Sequence, residues 1–374
     1  MTLDNFTKHP DLWFEDGNVV LVAEGIGFRV YGGLLAKHSK IFCDMFSVPQ
    51  PELKAEDTCE GYPVVCLPDD GAEELAAVLN IIYDTNSSKR FYSRATRVPF
   101  LIVAAAIRLG YKYAFNEIKD EALRRISLCY PRDWKKSHWD SHWHGGSNQE
   151  QPETSADAEG IPACQIVWNP TGSIVVFHLA RQLGLDDLVP AALYRCANDL
   201  SVESLFAATN QKDRFFTLSQ SELQDCIQAR EDLSAHNVSL YGILSKLKIS
   251  PECALKLKNQ DQTSSCRNTM SVMTTHAHAS HFMDGRAVLD PFRALFSRYK
   301  SHESANLKHS KATNHHTTGS LAEVGVPSPS LCSACFSDIY LHFLRKQEGV
   351  WVELSTKFCP YPRYQDSDAD NELT

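Results

Sequence analysis

The chain has 374 residues, 43% of them hydrophobic, and a formal net charge of −9. That length accommodates two domains, or one domain with an elaborated helical extension, and the apolar content suffices for a core. The acidic balance argues against a dedicated nucleic-acid binder, whose phosphate contacts need a basic surface; pairs such as Arg124-Arg125 and Lys135-Lys136 read as solvated helix ends.

The N-terminal residues lack the apolar core of a signal peptide, and the longest apolar runs, such as Phe100 to Ile107, fall short of a membrane span. Twelve cysteines are scattered singly except for one close pair, Cys332 and Cys335. A disulfide framework belongs to short secreted chains, so these read as reduced thiols of an intracellular protein, cytoplasmic or nuclear.

From Phe28 to Phe46 a short strand runs into a tight helical pair. Phe28 and Val30 alternate with polar neighbours as in a half-buried strand. Gly32-Gly33 interrupts that period, after which Leu34, Leu35, His38, Ile41, Phe42, Met45 and Phe46 recur at helical spacing. Ser39 stands where a second helix needs an N-cap. Gly25-Ile26-Gly27 could open a dinucleotide-binding loop, but position 30 is Val, and the glycines read as a hairpin turn between the first two strands.

This segment resembles the BTB/POZ domain, a protein-interaction fold. The resemblance covers about a third of the chain in order: Leu12 to Gly25 is similar to the family's opening strand, and Gly61 to Asp70 to its third. Ala72 to Asp84 resembles the helix that follows, and Val98 to Pro131 the final helical hairpin, broken at Gly110. Together with Leu188 to Ala197, these pieces are especially similar to BTB proteins of mushroom-forming fungi. Tyr31 stands where many BTB domains carry His, and Thr85 to Arg97 is a longer insert. The resemblance implies an α+β fold and a homodimer interface built from Leu12 to Phe46. On that stretch the apolar residues Trp13, Phe14, Leu34 and Leu35 are either covered by a second copy or belong to the internal core.

Beyond this BTB-like domain, taken as residues 10–131, residues 132–163 read as a flexible linker rich in Ser, His, Gly, Gln and Glu. A helical extension follows over 164–258. Val176, Leu179, Ala180 and Leu183, then Leu188, Ala192 and Leu193, mark two amphipathic helices parted near Gly184, with Pro190 in the first turn of the second. Ser219 and Glu222 form a capping box, and a separate helical segment is expected over Leu240 to Leu247. Residues 259–285 read as a polar linker without fixed structure. A C-terminal segment (286–362) carries a short amphipathic piece at Leu289 to Tyr299 and a helix over Leu331 to Arg345. It continues through an apolar-aromatic stretch at Trp351 to Phe358, and residues 363–374 form an acidic tail.

The chain carries no Walker A sequence, nucleophile elbow or H-E-x-x-H helix. Glu73-Glu74 and Asp186-Asp187 fit helix starts, where acids favour the positive end of the dipole. Cys332-Ser333-Ala334-Cys335 could give two thiolates to a tetrahedral zinc, with Cys253 or a His as a distant ligand. Equally, two cysteines three apart on an apolar helix fill a core. His138, His142 and His144, and His276, His278 and His281, lie in polar surroundings with nothing to hold a coordination geometry. The sequence therefore assigns no catalytic, cofactor-binding or metal-ligating residue and no cofactor.

The expectation is a noncatalytic interaction protein that pairs with itself through the BTB-like domain and holds another protein through its helical extension. It contacts neither nucleic acid nor membrane. One alternative is a substrate adaptor of a cullin-type ubiquitin ligase, for which Val65 to Gly71 supplies acids without a clean hydrophobic-x-Glu match. Another is a transcription-associated or zinc-binding protein, although serial C-x2-C…H-x3-H fingers are missing.

Overall fold

Two adjacent residues with positive φ, Glu24 (47°) and Gly25 (74°), turn strand β2 (Val19–Ala23) directly back into β3 (Ile26–Val30). A two-residue loop of this hand matches the twist of the strands it joins. The turn therefore precedes the Gly25–Gly27 position read from sequence. In this computed structural model the described residues are 6–48, 58–130, 132, 165–168, 171–209, 217–244, 246, 248–253, 263–279 and 331–358. The predicted linker beyond Arg132, the Lys135-Lys136 pair, the His138–His144 cluster, His281, Leu289 to Tyr299 and the acidic tail lie outside them.

The chain is α+β. A five-stranded mixed sheet has the order β1-β3-β2-β5-β4, with β1 (Thr7–Trp13) parallel to β3 and β5 (Tyr62–Cys66) parallel to β2. The short β4 (Thr58–Cys59) closes the far edge. Strand β1 lies outside the sequence reading, because TKHPDLW has no apolar alternation. Its Pro10 is compatible with an edge strand, which needs no donor on its open side. Strand β3 is buried on both faces over Gly27–Val30, not on one. Arg29 tolerates this because its Nε donates to the Gly17 carbonyl (2.8 Å), its guanidinium meets Glu60 (3.0 Å), and it lies over the Tyr62 ring.

Helices α1 (Gly32–His38) and α2 (Lys40–Ser47) meet at Ser39, whose hydroxyl accepts from the Phe42 N–H (3.0 Å) and donates to the Tyr113 carbonyl (2.5 Å). After β5 come α3 (Ala72–Tyr83) and α4 (Thr85–Tyr92), the latter occupying the expected insert. The Asp84 carboxylate caps α4 by accepting from the N–H groups of Asn86 and Ser87. Strand β6 (Val98–Pro99) leads into the hairpin of α5 (Phe100–Tyr113) and α6 (Asn116–Cys129). The break falls at Ala114 (φ 56°), not at Gly110. Gly110 instead lies within α5 where α6 crosses closely: a Cβ there would approach the Lys119 Cβ to 2.7 Å.

Arg125 also departs from the sequence reading. Far from a solvated helix end, it is 0% exposed on α6. Its nitrogens donate to the carbonyls of Phe91, Ser93, Thr96 and Gln165 and to Glu121. Two charged neighbours on a sequence look alike; only packing tells the fully satisfied guanidinium from the half-exposed one, Arg124.

Contacts group Met1–Leu188 as one compact unit and Val189–Thr374 as another, so the division falls later than the 132–163 linker. The reason is β7 (Ile166–Val167), which pairs in parallel with β6, and α7 (Gly172–Leu183), which packs on α5. These bring the start of the predicted extension into the first unit. Gly184, in the left-handed region (φ 65°), ends α7 as expected.

The second unit holds α8 (Val189–Asp199), α9 (Val202–Ala207), α10 (Gln220–Leu244), α11 (Thr263–Ala279) and α12 (Ser333–Phe358). The capping box is present: the Ser219 N–H donates to Glu222 (2.8 Å), and the Glu222 N–H donates to the Ser219 hydroxyl (3.2 Å). From it α10 runs unbroken for 25 residues, so no separate helix starts at Leu240. Helix α12 likewise joins the two C-terminal segments into one of 26 residues. The expected polar linker over 259–285 contains α11, which turns Cys266, Thr269, Met270 and Met273 inward. Their spacing of three and four is helical, but the abundant Ser and Thr between them mask the period.

Among the described residues no helix is long and apolar enough to cross a membrane.

Candidate functional site

On the first unit, Leu35 is fully buried and belongs to the core, which removes it from any interface. Phe14 stacks on Tyr31 (5.1 Å between centroids) and leans on Tyr83 (5.6 Å). Trp13 packs against Phe6 and lies under the Lys8 ammonium. Both aromatics are therefore half-covered within their own chain. Leu34 stays half-buried, and on α2 Ile41 is 42% exposed, so the apolar surface of the helical pair shifts toward α2. Tyr31 donates to Asp16 (2.6 Å), a bond that raises the phenol's pKa, and its carbonyl accepts from the Tyr83 hydroxyl (2.8 Å).

The acids after β5 divide. Asp69 is exposed, whereas Asp70 is buried and accepts from Arg108 (3.2 Å), Lys112 (2.8 Å) and the Tyr113 hydroxyl. Burial and the bond to Asp70 push the Tyr113 phenol far up. Glu74 also engages Arg108. These groups join the loop before α3 and its first turn to the C-terminal half of α5, which takes Asp70 and Glu74 out of the acids a scaffold could read.

In the second unit, four cysteines from three places in the chain converge. Cys253 ends a turn whose N–H donates to the Ser250 carbonyl (3.1 Å). Cys266 lies at the beginning of α11. Cys332 immediately precedes α12, its carbonyl accepting the first helical bond from Phe336 (2.9 Å), and Cys335 is one turn on. The four sulfurs lie within 4.8 Å of one another, and all four residues are buried. The Cys332 and Cys253 sulfurs are 3.6 Å apart, and the Cys332 N–H points at the Cys266 sulfur (3.5 Å).

The environment treats these thiols unequally. Burial pushes Cys266 up to about 11 and Cys335 still higher. Burial opposes ionisation of Cys332 as well, but its bond from the Cys335 N–H and its hydrogen bonding with the thiols of Cys253, Cys335 and Cys266 hold its pKa below the usual thiol value. A sulfur at a helix N-terminus also feels the positive end of the dipole.

The residues named from sequence, Cys253, Cys332 and Cys335, are thus brought together. Cys266 escapes the sequence reading because the Ser and Thr around it mask the helical period and its spacing from Cys253 matches no familiar pair. Residues 276 and 278 fall on the last turn of α11, at the opposite end from Cys266. Buried thiols are not rare in this unit, since Cys196 and Cys226 are also fully buried and burial raises Cys196 strongly.

No protein-family model matches this chain, and no curated protein matches it.

Proposed function

We propose that this chain is a noncatalytic protein–protein interaction protein whose first unit pairs with a second copy in the manner of a BTB/POZ domain. The observation that carries the reading is the element order β2-β3-α1-α2-β5-α3, closed by the α5-α6 hairpin, which is the order the resemblance calls for. Ile41, exposed on α2, and the half-buried Leu34 of α1 supply apolar surface that a second copy would cover. Strand β1 forms an edge of the sheet, and edges invite pairing.

The long helices α10 and α12 provide the rigid surface for a different partner. Lys357 pairs with Asp232 (2.5 Å) and His236 with Glu353 (3.0 Å), joining the two helices along their exposed sides. Tyr340, Leu341 and Val352 remain exposed on α12.

Light scattering on the purified chain tests self-association. A mass near twice 41.9 kDa is expected, and the double variant Leu34→Asp with Ile41→Asp should halve it while leaving the circular dichroism spectrum unchanged. A wild-type monomer at every concentration would sink the dimer reading.

A further inference from the structure

We propose that Cys253, Cys266, Cys332 and Cys335 hold one zinc ion in a closed tetrathiolate site that joins α11 and α12 to the turn after α10. Zinc with thiolate ligands at about 2.3 Å in tetrahedral geometry sets its sulfurs about 3.8 Å apart. The four sulfurs here span distances up to 4.8 Å, with one pair at 3.6 Å, so contraction of less than an ångström about a common centre completes the site. A disulfide, by contrast, needs sulfurs about 2.05 Å apart, and all four cysteines are free thiols.

Chemistry and burial both select the ion. Four soft thiolates and no oxygen donor favour zinc over magnesium or calcium. Four protein ligands, all buried, leave no position for water or substrate, so the role is structural.

The tertiary structure also supplies a need for it. Cys253 and Cys332 are 79 positions apart, and Cys266 and Cys332 are 66 apart. Closing loops of that length costs chain entropy that local contacts must offset. Among the described residues α12 packs on α8 and α10, and α11 packs chiefly on α10. An ion holding Cys266 against Cys332 ties the start of α11 to the start of α12. The pair Cys196 and Cys226 lies in the same unit without a third or fourth thiol among the described residues and serves as the internal control.

Metal content of the full-length protein, purified under reducing conditions and gel-filtered after a brief wash with a weak chelator, is the test. One zinc per chain is expected. Exchange with cobalt should give the intense visible bands and near-ultraviolet thiolate-to-metal band of a tetrahedral four-sulfur site. Cys266→Ser should weaken zinc binding about 100-fold, since each ligand carries roughly a quarter of the binding free energy of such a site. Cys226→Ser should retain the metal. If Cys266→Ser does not fold, the cobalt spectrum of the wild type decides alone. Protein that folds without metal and gives no cobalt–thiolate band would overturn the proposal, as would a mass deficit of about two hydrogens per cysteine pair, or iron in place of zinc.

Discussion

Arg125 in the first unit and Cys266 in the second are both buried polar groups on helices, yet their surroundings treat them oppositely. Arg125 finds four backbone carbonyls and the Glu121 carboxylate within hydrogen-bond distance. Cys266 finds chiefly other sulfurs. A guanidinium with its donors satisfied by the chain is complete in itself, and its neighbours are ordered by it. Thiols satisfy one another only weakly, and a knot of four has more ligand capacity than hydrogen bonding can use. The comparison teaches that the first unit closes on its own chemistry, whereas the second is built around a centre that a metal completes.

That contrast can be broken most directly at Arg125. Arg125→Met would leave the carbonyls of Phe91, Ser93, Thr96 and Gln165 facing an apolar chain and Glu121 without this cation. A loss of roughly 3–5 kcal/mol in denaturant unfolding is expected, equal with or without chelator. A chelator-dependent loss would mean that the two units do not close separately.

A smaller effect is expected at the α5-α6 crossing. Gly110→Ala gains helix propensity but forces α6 away, because the new Cβ would lie 2.7 Å from the Lys119 Cβ and 3.2 Å from its backbone. A net loss of about 1–2 kcal/mol should register as a lower unfolding midpoint. An unchanged or raised midpoint would show that α6 can slide at no cost. Ser39→Ala removes both the cap on α2 and the bond to the Tyr113 carbonyl, with a loss of about 1 kcal/mol. Ser39→Asn, which can still cap, should recover part of it.

The smallest effect concerns pH. Glu60 is held below the usual carboxylate range, chiefly by its bond from Lys8; partial desolvation pushes the other way, and the charges of Lys8 and Arg29 outweigh it together with that bond. Asp84 is held low by the Ser87 hydroxyl and N–H. For groups depressed in the folded state, the stabilisation is present above the unfolded carboxylate pKa and is lost as pH falls through the folded one. Melting temperature should therefore fall below about pH 4, and less steeply in Glu60→Gln. Equal slopes would remove Glu60 from the account.

Much of this was legible locally. Ser39 as a cap, the Ser219–Glu222 box and Gly184 as a helix stop follow from short-range hydrogen bonding and backbone sterics, which a stretch of four or five residues specifies alone. The amphipathic spacing of α3, α5 and α7 was readable for the same reason. Strand β1 and helix α11 were not, because neither has a clear apolar period: each is held by what it packs against. At the thiol centre, Cys332 and Cys335 announced themselves as a close pair, and Cys253 could be named only as a distant candidate.

The sequence by itself determined the α+β character, the helical pair after β3, the caps and the absence of recognisable catalytic motifs, since these depend on residues near one another in the chain. Only the tertiary structure decided that Arg125 is core and Arg124 is not, that Leu35 faces inward, and that residues 165–183 belong with the first unit. It alone brought Cys266 to Cys332 across 66 positions. Burial and coordination are properties of neighbours in space, and a linear spacing holds no distance between residues so far apart.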